Sequence, residues 1–222
     1  IKERLDNFDR IPIIAEVKPT SPSAGELIRE RDMLSVAKEM AGGGAVALSI
    51  LTEPKFFNGS LSEFSRIRKE LSIPLLMKDI LIDRAQVDAA FKVGADAILL
   101  IAEAFSDQLT LRDLVSYSHQ LGMEVLVEAN SIDAFGVALH SGADLLGVNN
   151  RDLKTLKLDM ETSRRIASAF DIRKRRVICE SGISSRNQVL ELTKLGYVGF
   201  LVGTSILNAQ SITEFLTELS RP

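Results

Sequence analysis

Glu16, Lys18, Lys78, Glu128 and Glu180 are the residues of this 222-residue chain whose types and spacing could do chemistry. Glu16 and Lys18 close the run Ile11-Pro12-Ile13-Ile14-Ala15-Glu16-Val17-Lys18, and Lys78-Asp79 closes Pro74-Leu75-Leu76-Met77-Lys78-Asp79. Glu128 and Asn130 end the run from Glu124, Asn149-Asn150-Arg151-Asp152 the run from Leu145, and Glu180-Ser181 the run from Val177. A charge among aliphatic side chains is costly to bury unless it is paired. Charges gathered at one end of several apolar runs therefore mean a salt-bridge network or a reaction site, and their number favours the site. Carboxylates and lysines in one apolar cup have their pKa values pushed apart, so that one group donates a proton while another accepts it.

A second signal lies in Ser181-Gly182-Ile183-Ser184 and Gly203-Thr204-Ser205, small residues that follow the last two apolar runs. Backbone N–H groups in such loops, with a helix N-terminus, cradle phosphate, and Lys18 would supply the counter-charge. A small phosphorylated substrate is the expected partner.

The elements that must position these residues alternate along the chain. Eight apolar runs (11–18, 45–52, 74–79, 97–103, 124–130, 145–150, 177–181 and 198–203) have the near-continuous hydrophobicity of parallel strands buried on both faces. Between them lie stretches of helical period, such as Met160, Ser163, Ile166, Ala167 and Phe170 on one face, or Leu111, Leu114 and Val115 on another. Asp32, Ser60, Asp83 and Ser185 are candidate helix caps. Gly94-Ala95-Asp96 and Gly142-Ala143-Asp144 repeat where a helix gives way to a strand. No Gly-x-Gly-x-x-Gly turn follows the first run, which weakens a doubly wound dinucleotide-binding sheet. The expected fold is α/β, a (β/α)₈ TIM barrel formed as one domain over residues 1–222, with the site at the C-terminal ends of its strands.

Composition narrows the function classes. A net charge of -3 gives no general attraction for nucleic acid or an anionic membrane. The Arg173-Lys174-Arg175-Arg176 run lacks interleaved aromatics and reads as a solvated loop. No apolar stretch is long enough to suggest a membrane span. The start, Ile1-Lys2-Glu3-Arg4-Leu5, is charged and amphipathic, unlike a signal peptide. Cys179, the single cysteine, reads as a core thiol and suits a cytoplasmic protein. His119 and His140 form no ligand cluster, so no metal site is expected.

Together the motifs resemble the indole-3-glycerol phosphate synthases. Ile14-Ala15-Glu16-Val17-Lys18 with Ser21-Pro22-Ser23 is similar to that family's first-strand signature. Ser49-Ile50-Leu51-Thr52-Glu53 with Phe56-Phe57-Asn58-Gly59-Ser60, and then Pro74 to Asp79, match in order. Val127-Glu128-Ala129-Asn130, Gly147 to Leu153 and Glu180-Ser181-Gly182-Ile183 complete a likeness that spans nearly the whole chain. The resemblance implies tryptophan biosynthesis: closure of 1-(2-carboxyphenylamino)-1-deoxyribulose 5-phosphate to indole-3-glycerol phosphate, with loss of carbon dioxide and water. It also implies no metal or organic cofactor.

By the same resemblance, Lys78 is the general acid and Glu128 exchanges a proton during dehydration. Lys18 partners the substrate's carboxylate or phosphate or serves in proton transfer, Glu16 and Glu180 orient the lysines, bind substrate hydroxyls and stabilise developing charge, and Asn149 is a polar contact near the reacting carbons. Phe57, Pro22, Ile101 and Leu153 would wall the aromatic ring, with Arg151 among the substrate contacts. Lys18, Ser21, Ser181, Gly182, Gly203 and Thr204 would hold the phosphate. The chain departs from the family at Thr20, where many members have a basic residue. It also departs at residues 1–10, which resemble only the end of a helical extension that caps the mouth of the barrel. A monomer or weak homo-oligomer is expected. The rival readings are a phosphoribosylanthranilate isomerase, a ribulose-phosphate epimerase, or a non-catalytic phosphate-binding barrel. The first would want a cysteine where Glu16 and Lys18 stand, and the second metal-binding histidines.

Overall fold

Each apolar run forms a strand in the computed structural model, which describes residues 1–222. The strands are β1 (Ile13–Val17), β2 (Ala47–Leu51), β3 (Leu75–Lys78), β4 (Ala97–Ile101), β5 (Glu124–Ala129), β6 (Leu145–Asn149), β7 (Val177–Glu180) and β8 (Gly199–Val202). Neighbours in sequence are neighbours in the sheet, all pairings are parallel, and β1 pairs with β8 to close the barrel. The helices that return the chain are α1 (Met33–Gly42), α2 (Leu61–Glu70), α3 (Arg84–Lys92), α4 (Gln108–Gln120), α5 (Ile132–Leu139), α6 (Glu161–Ala169), α7 (Arg186–Leu195) and α8 (Ile212–Leu219). This is the expected (β/α)₈ TIM barrel. No helix is long and apolar enough to cross a membrane.

Local chemistry sets the helix starts. The side chains of Asp32, Ser60, Asp83 and Ser185 each accept a backbone N–H from the first turn that follows. The repeated Gly-Ala-Asp segments have a purpose beyond helix termination. Asp96 Oδ2 accepts the N–H of Leu75 at 2.8 Å, and Asp144 Oδ2 that of Val125 at 2.9 Å. Each aspartate thereby ties the start of the preceding strand to the loop that leads into its own.

Two apolar layers follow from the alternation of side chains along a strand. Outward residues such as Leu48, Ile50, Val125 and Val148 pack under the helices in a cluster of 49 buried residues. Inward residues fill the barrel with a cluster of 13, among them Ile14, Ala47, Leu76, Leu99, Leu126, Leu145, Ile178 and Leu201. The inward position two residues further along places Glu16, Ser49, Lys78, Glu128, Gly147 and Glu180 above that apolar floor.

Residues 1–10 lie at the opposite end from the expected mouth. A short helix, Lys2–Asp6, sends Ile1 and Leu5 into the inner cluster. Lys2 pairs with Asp144 at 2.7 Å and Arg176 with Asp6 at 2.6 Å, across the N-terminal ends of the strands. The segment plugs the floor of the barrel because its apolar side chains complete that layer. The basic run 173–176 is at this same end, in and beside a short 3₁₀ turn.

Candidate active site

Lys78 is the hub. Its Nζ donates to Glu128 Oε2 at 3.0 Å and to Glu180 Oε2 at 3.1 Å, reaching across the barrel from β3 to β5 and β7. Glu128 Oε1 accepts from Asn149 Nδ2 at 3.2 Å, and Asn149 Oδ1 accepts the backbone N–H of Arg151 at 2.9 Å. Beside this chain of bonds, Lys18 Nζ lies 2.5 Å from Glu16 Oε1. Glu16, Glu128, Asn149 and Glu180 are all buried, whereas the Lys18 and Lys78 side chains each keep 15% of their surface open. The six residues expected to react are therefore gathered at one mouth.

The electrostatics separate the carboxylates. Burial pushes Glu180 up to about 8; Lys78 opposes that rise and Glu128 adds to it. Burial would likewise raise Glu16, but Lys18 and Lys78 outweigh it and hold the carboxyl below its ordinary value. For Lys78 burial works against the charged form, yet the fields of Glu128, Glu180 and Glu16 prevail and raise its pKa above the usual lysine value. Lys78 is thus an ammonium at neutral pH in contact with two carboxyl groups, of which Glu180 keeps its proton into the neutral range. Such a set can donate a proton at one atom and receive it at another.

The two small-residue loops meet. Ser205 Oγ donates to the carbonyl of Ile183 at 2.7 Å, joining the loop after β8 to the loop after β7. Ser181 and Gly182 both adopt left-handed backbone, with φ of 66° and 81°. Gly203 precedes the short helix Thr204–Leu207, which begins at Thr204. A Cβ on Gly203 would fall 2.6 Å from Glu16 Oε1, so this glycine also seats a site carboxylate. Ser21 is buried in the loop after β1, where Thr20–Ser21 pairs with Gly25–Glu26 in a small antiparallel ladder.

The expected apolar wall is less uniform. Ile101 is buried at the end of β4, in register with Glu128. Phe57 is half-buried at the end of a short helix, Pro54–Phe57, that packs against the Thr20–Ser21 ladder. Pro22 is exposed in that loop, and Leu153 stands exposed in the turn after β6. The half-buried Arg151 turns its guanidinium to the carbonyl of Leu156 at 2.8 Å.

Several contributors escaped sequence reasoning. Ser49 is fully buried in register with Glu16, and its Oγ has no hydrogen-bond partner. A lone serine inside an apolar run was the available signal. Asn150, recognised only as part of a strand end, donates to the carbonyl of Ser181 at 3.1 Å and accepts from Ser163 Oγ at 2.6 Å. It ties the left-handed turn at Ser181 to the start of α6. Cys179 borders this buried network, with its thiol pushed up to about 12 by burial, which makes it a core thiol. No group of three or more His, Cys, Asp or Glu side chains is arranged to hold a metal ion.

Comparison with known proteins bears on this geometry. The family model for indole-3-glycerol phosphate synthase matches residues 1–219. The enzyme of that name from Methanocaldococcus jannaschii is 42% identical over 209 residues, which is 93% of this chain and 77% of the relative. That from Aquifex aeolicus is 41% identical over 208 residues, 93% of this chain and 80% of the relative. Among solved structures, 3-hexulose-6-phosphate synthase from Salmonella typhimurium superposes with a TM-score of 0.73 at 15% identity, covering 94% of this chain and 96% of that one. That likeness shows the barrel fold alone. With matches that run through every strand end described above, the chain belongs to the indole-3-glycerol phosphate synthase family.

Proposed function

We propose that the chain closes 1-(2-carboxyphenylamino)-1-deoxyribulose 5-phosphate to indole-3-glycerol phosphate, with release of carbon dioxide and water. The observation that carries this reading is the Lys78 ammonium, held 3.0 Å from Glu128 and 3.1 Å from Glu180 at the open end of the barrel. Lys78 gives a proton to the ketone oxygen while the ring carbon that bears the carboxylate attacks the ketone carbon. Carbon dioxide then leaves that ring carbon and aromaticity returns. The hydroxyl derived from the ketone departs with an added proton as water, and the neighbouring methylene carbon gives up a proton to form the new ring double bond. Glu128, bonded to both Lys78 and Asn149, is the group that exchanges a proton in this step.

Glu16 orients Lys18 and, as a carboxylate, stabilises positive charge that develops on ring closure; Glu180 orients Lys78 and adds to that stabilisation through its carboxyl oxygens. Lys18 serves a substrate anion. Ser21, Ser181, Gly182, Gly203 and Thr204 hold the phosphate, while Ile101, Phe57, Pro22 and Leu153 flank the aromatic ring and Arg151 lies at the rim. The likeness to the synthases favours this reaction over the isomerase, the epimerase and the non-catalytic barrel.

The test is incubation of the purified chain with the carboxyphenylamino substrate, followed by indole fluorescence, beside Lys78→Ala. Loss of a general acid lowers kcat by about a hundredfold to ten-thousandfold. Equal turnover by both proteins removes Lys78 from the chemistry, and no turnover by the unaltered chain overturns the proposed reaction.

A further inference from the structure

Gly147 sits in β6 directly across from Glu128 of β5, and β7 on its other side carries Glu180. A Cβ on Gly147 would lie well inside the van der Waals contact distance of Glu180 Oε1 and 3.1 Å from Glu128 Cβ. Its backbone is not among the positive-φ positions, so no turn requires glycine here. Glycine inside a strand weakens the strand and marks close approach of another group. The group that approaches is the Glu180 carboxylate, whose Oε1 has no hydrogen-bond partner while Oε2 accepts from Lys78.

We infer that Gly147 is a positioning residue for the proposed reaction: its missing side chain is the space through which Glu180 leans over β6 to reach Lys78. The inference rests on the reading of the Lys78 cluster as the reacting site. A methyl group at position 147 meets first the far end of a flexible side chain, so the larger displacement falls on the Glu180 carboxylate, while Glu128 Cα at 3.2 Å needs a shift of only a few tenths of an ångström. Glu128 keeps its bond from Asn149 through that small shift.

The test compares the unaltered chain with Gly147→Ala, Glu180→Asp and the double variant, by steady-state kinetics and by the ¹⁵N signal of the Lys78 ammonium. Losing a charge-assisted hydrogen bond to the general acid lowers kcat by about tenfold or more, and KM stays within about twofold. The ammonium protons of Lys78 exchange faster in Gly147→Ala. Glu180→Asp is slowed too, because its carboxylate is shorter by one methylene. The shorter carboxylate no longer meets the added methyl, so the double variant is no slower than Glu180→Asp alone. Losses that multiply in the double variant, or an unchanged kcat in Gly147→Ala, overturn the inference. Should Gly147→Ala cost the fold, relief of the same clash restores folding in the double variant; a double variant that stays unfolded also overturns it. If the unaltered chain shows no turnover, the reaction fails, but the Lys78 signal still decides the seating of Glu180. Slow exchange retained in Gly147→Ala refutes that seating.

Discussion

Glutamine at position 180 keeps the shape of the glutamate and removes its titration, so Glu180→Gln should remove one pH dependence from the stability of the fold. Burial pushes the Glu180 carboxyl up to about 8, with Lys78 opposing the rise and Glu128 adding to it. Below the usual carboxylate range the group is protonated in the folded and the unfolded chain alike, and pH has no leverage through it. Between that range and about pH 8 the unfolded chain ionises while the folded chain keeps its proton, so stability falls as pH rises. The folding constant drops by up to about tenfold for each pH unit, on the order of 5 kcal/mol across the whole window. Glu180 is 1% exposed, so solvent screens little of this. Lys78, with its raised pKa, contributes stability that is present below the usual lysine value and lost at higher pH. Glu16, with its lowered pKa, contributes stability present above the carboxylate range and lost in acid. In the variant Glu16 keeps both lysines, while Lys78 loses the part of its rise that Glu180 supplies, in a window that lies above the pH range scanned. Urea unfolding at intervals from about pH 5 to about pH 9 should show the variant gaining several kcal/mol on the unaltered chain towards the upper end. Two parallel stability curves would refute the reasoning, since Glu180 would then ionise alike in folded and unfolded chains.

Asn150→Ala strips partners from Ser163 and from the carbonyl of Ser181 at once. It should cost about 2 kcal/mol or more in thermal unfolding, as buried groups left unpaired do. A melting temperature equal to that of the unaltered chain would show that the network contributes nothing. Gly182→Ala puts a side chain at φ of 81° and drives its Cβ against Met160 Sδ, with Leu158 Cδ1 at 3.0 Å. It should raise KM for the phosphorylated substrate by about tenfold through the displaced turn. Steady-state kinetics with KM unchanged would remove that turn from the phosphate site.

The strand ends were legible because an ionisable residue in an apolar run stands out, and because alternation along a strand aims it inward. Glu16, Lys78, Glu128 and Glu180 needed no more than that. Their pairing was not legible: Lys78 bonds Glu128 and Glu180, and leaves Glu16 to Lys18. That choice depends on the stagger of a closed barrel, which no single strand records. Gly147 was hidden for a related reason. Its own run resembles any strand with a small residue, and the need for glycine comes from a carboxylate thirty-three positions later in sequence. The seat of residues 1–10 was not legible either: they lie at the floor, where Ile1 and Leu5 find the apolar layer that their side chains require.

Along four of the strands the inward positions change from aliphatic to charged in the direction of the chain: Ile14 to Glu16, Leu76 to Lys78, Leu126 to Glu128, Ile178 to Glu180. The lower layer excludes water, which makes every charge above it costly to leave unpaired and every pairing strong. If all of them were ionised, the carboxylates Glu16, Glu128 and Glu180 would outnumber Lys18 and Lys78, and the mouth would repel a phosphorylated substrate. Burial opposes this by holding a proton on Glu180 towards neutrality, which lowers the negative charge of the set. The same apolar floor that holds the barrel together therefore fixes the protonation of its most buried glutamate. That protonation in turn favours the anion that Lys18 and the backbone N–H groups beside Gly182 and Gly203 are proposed to hold.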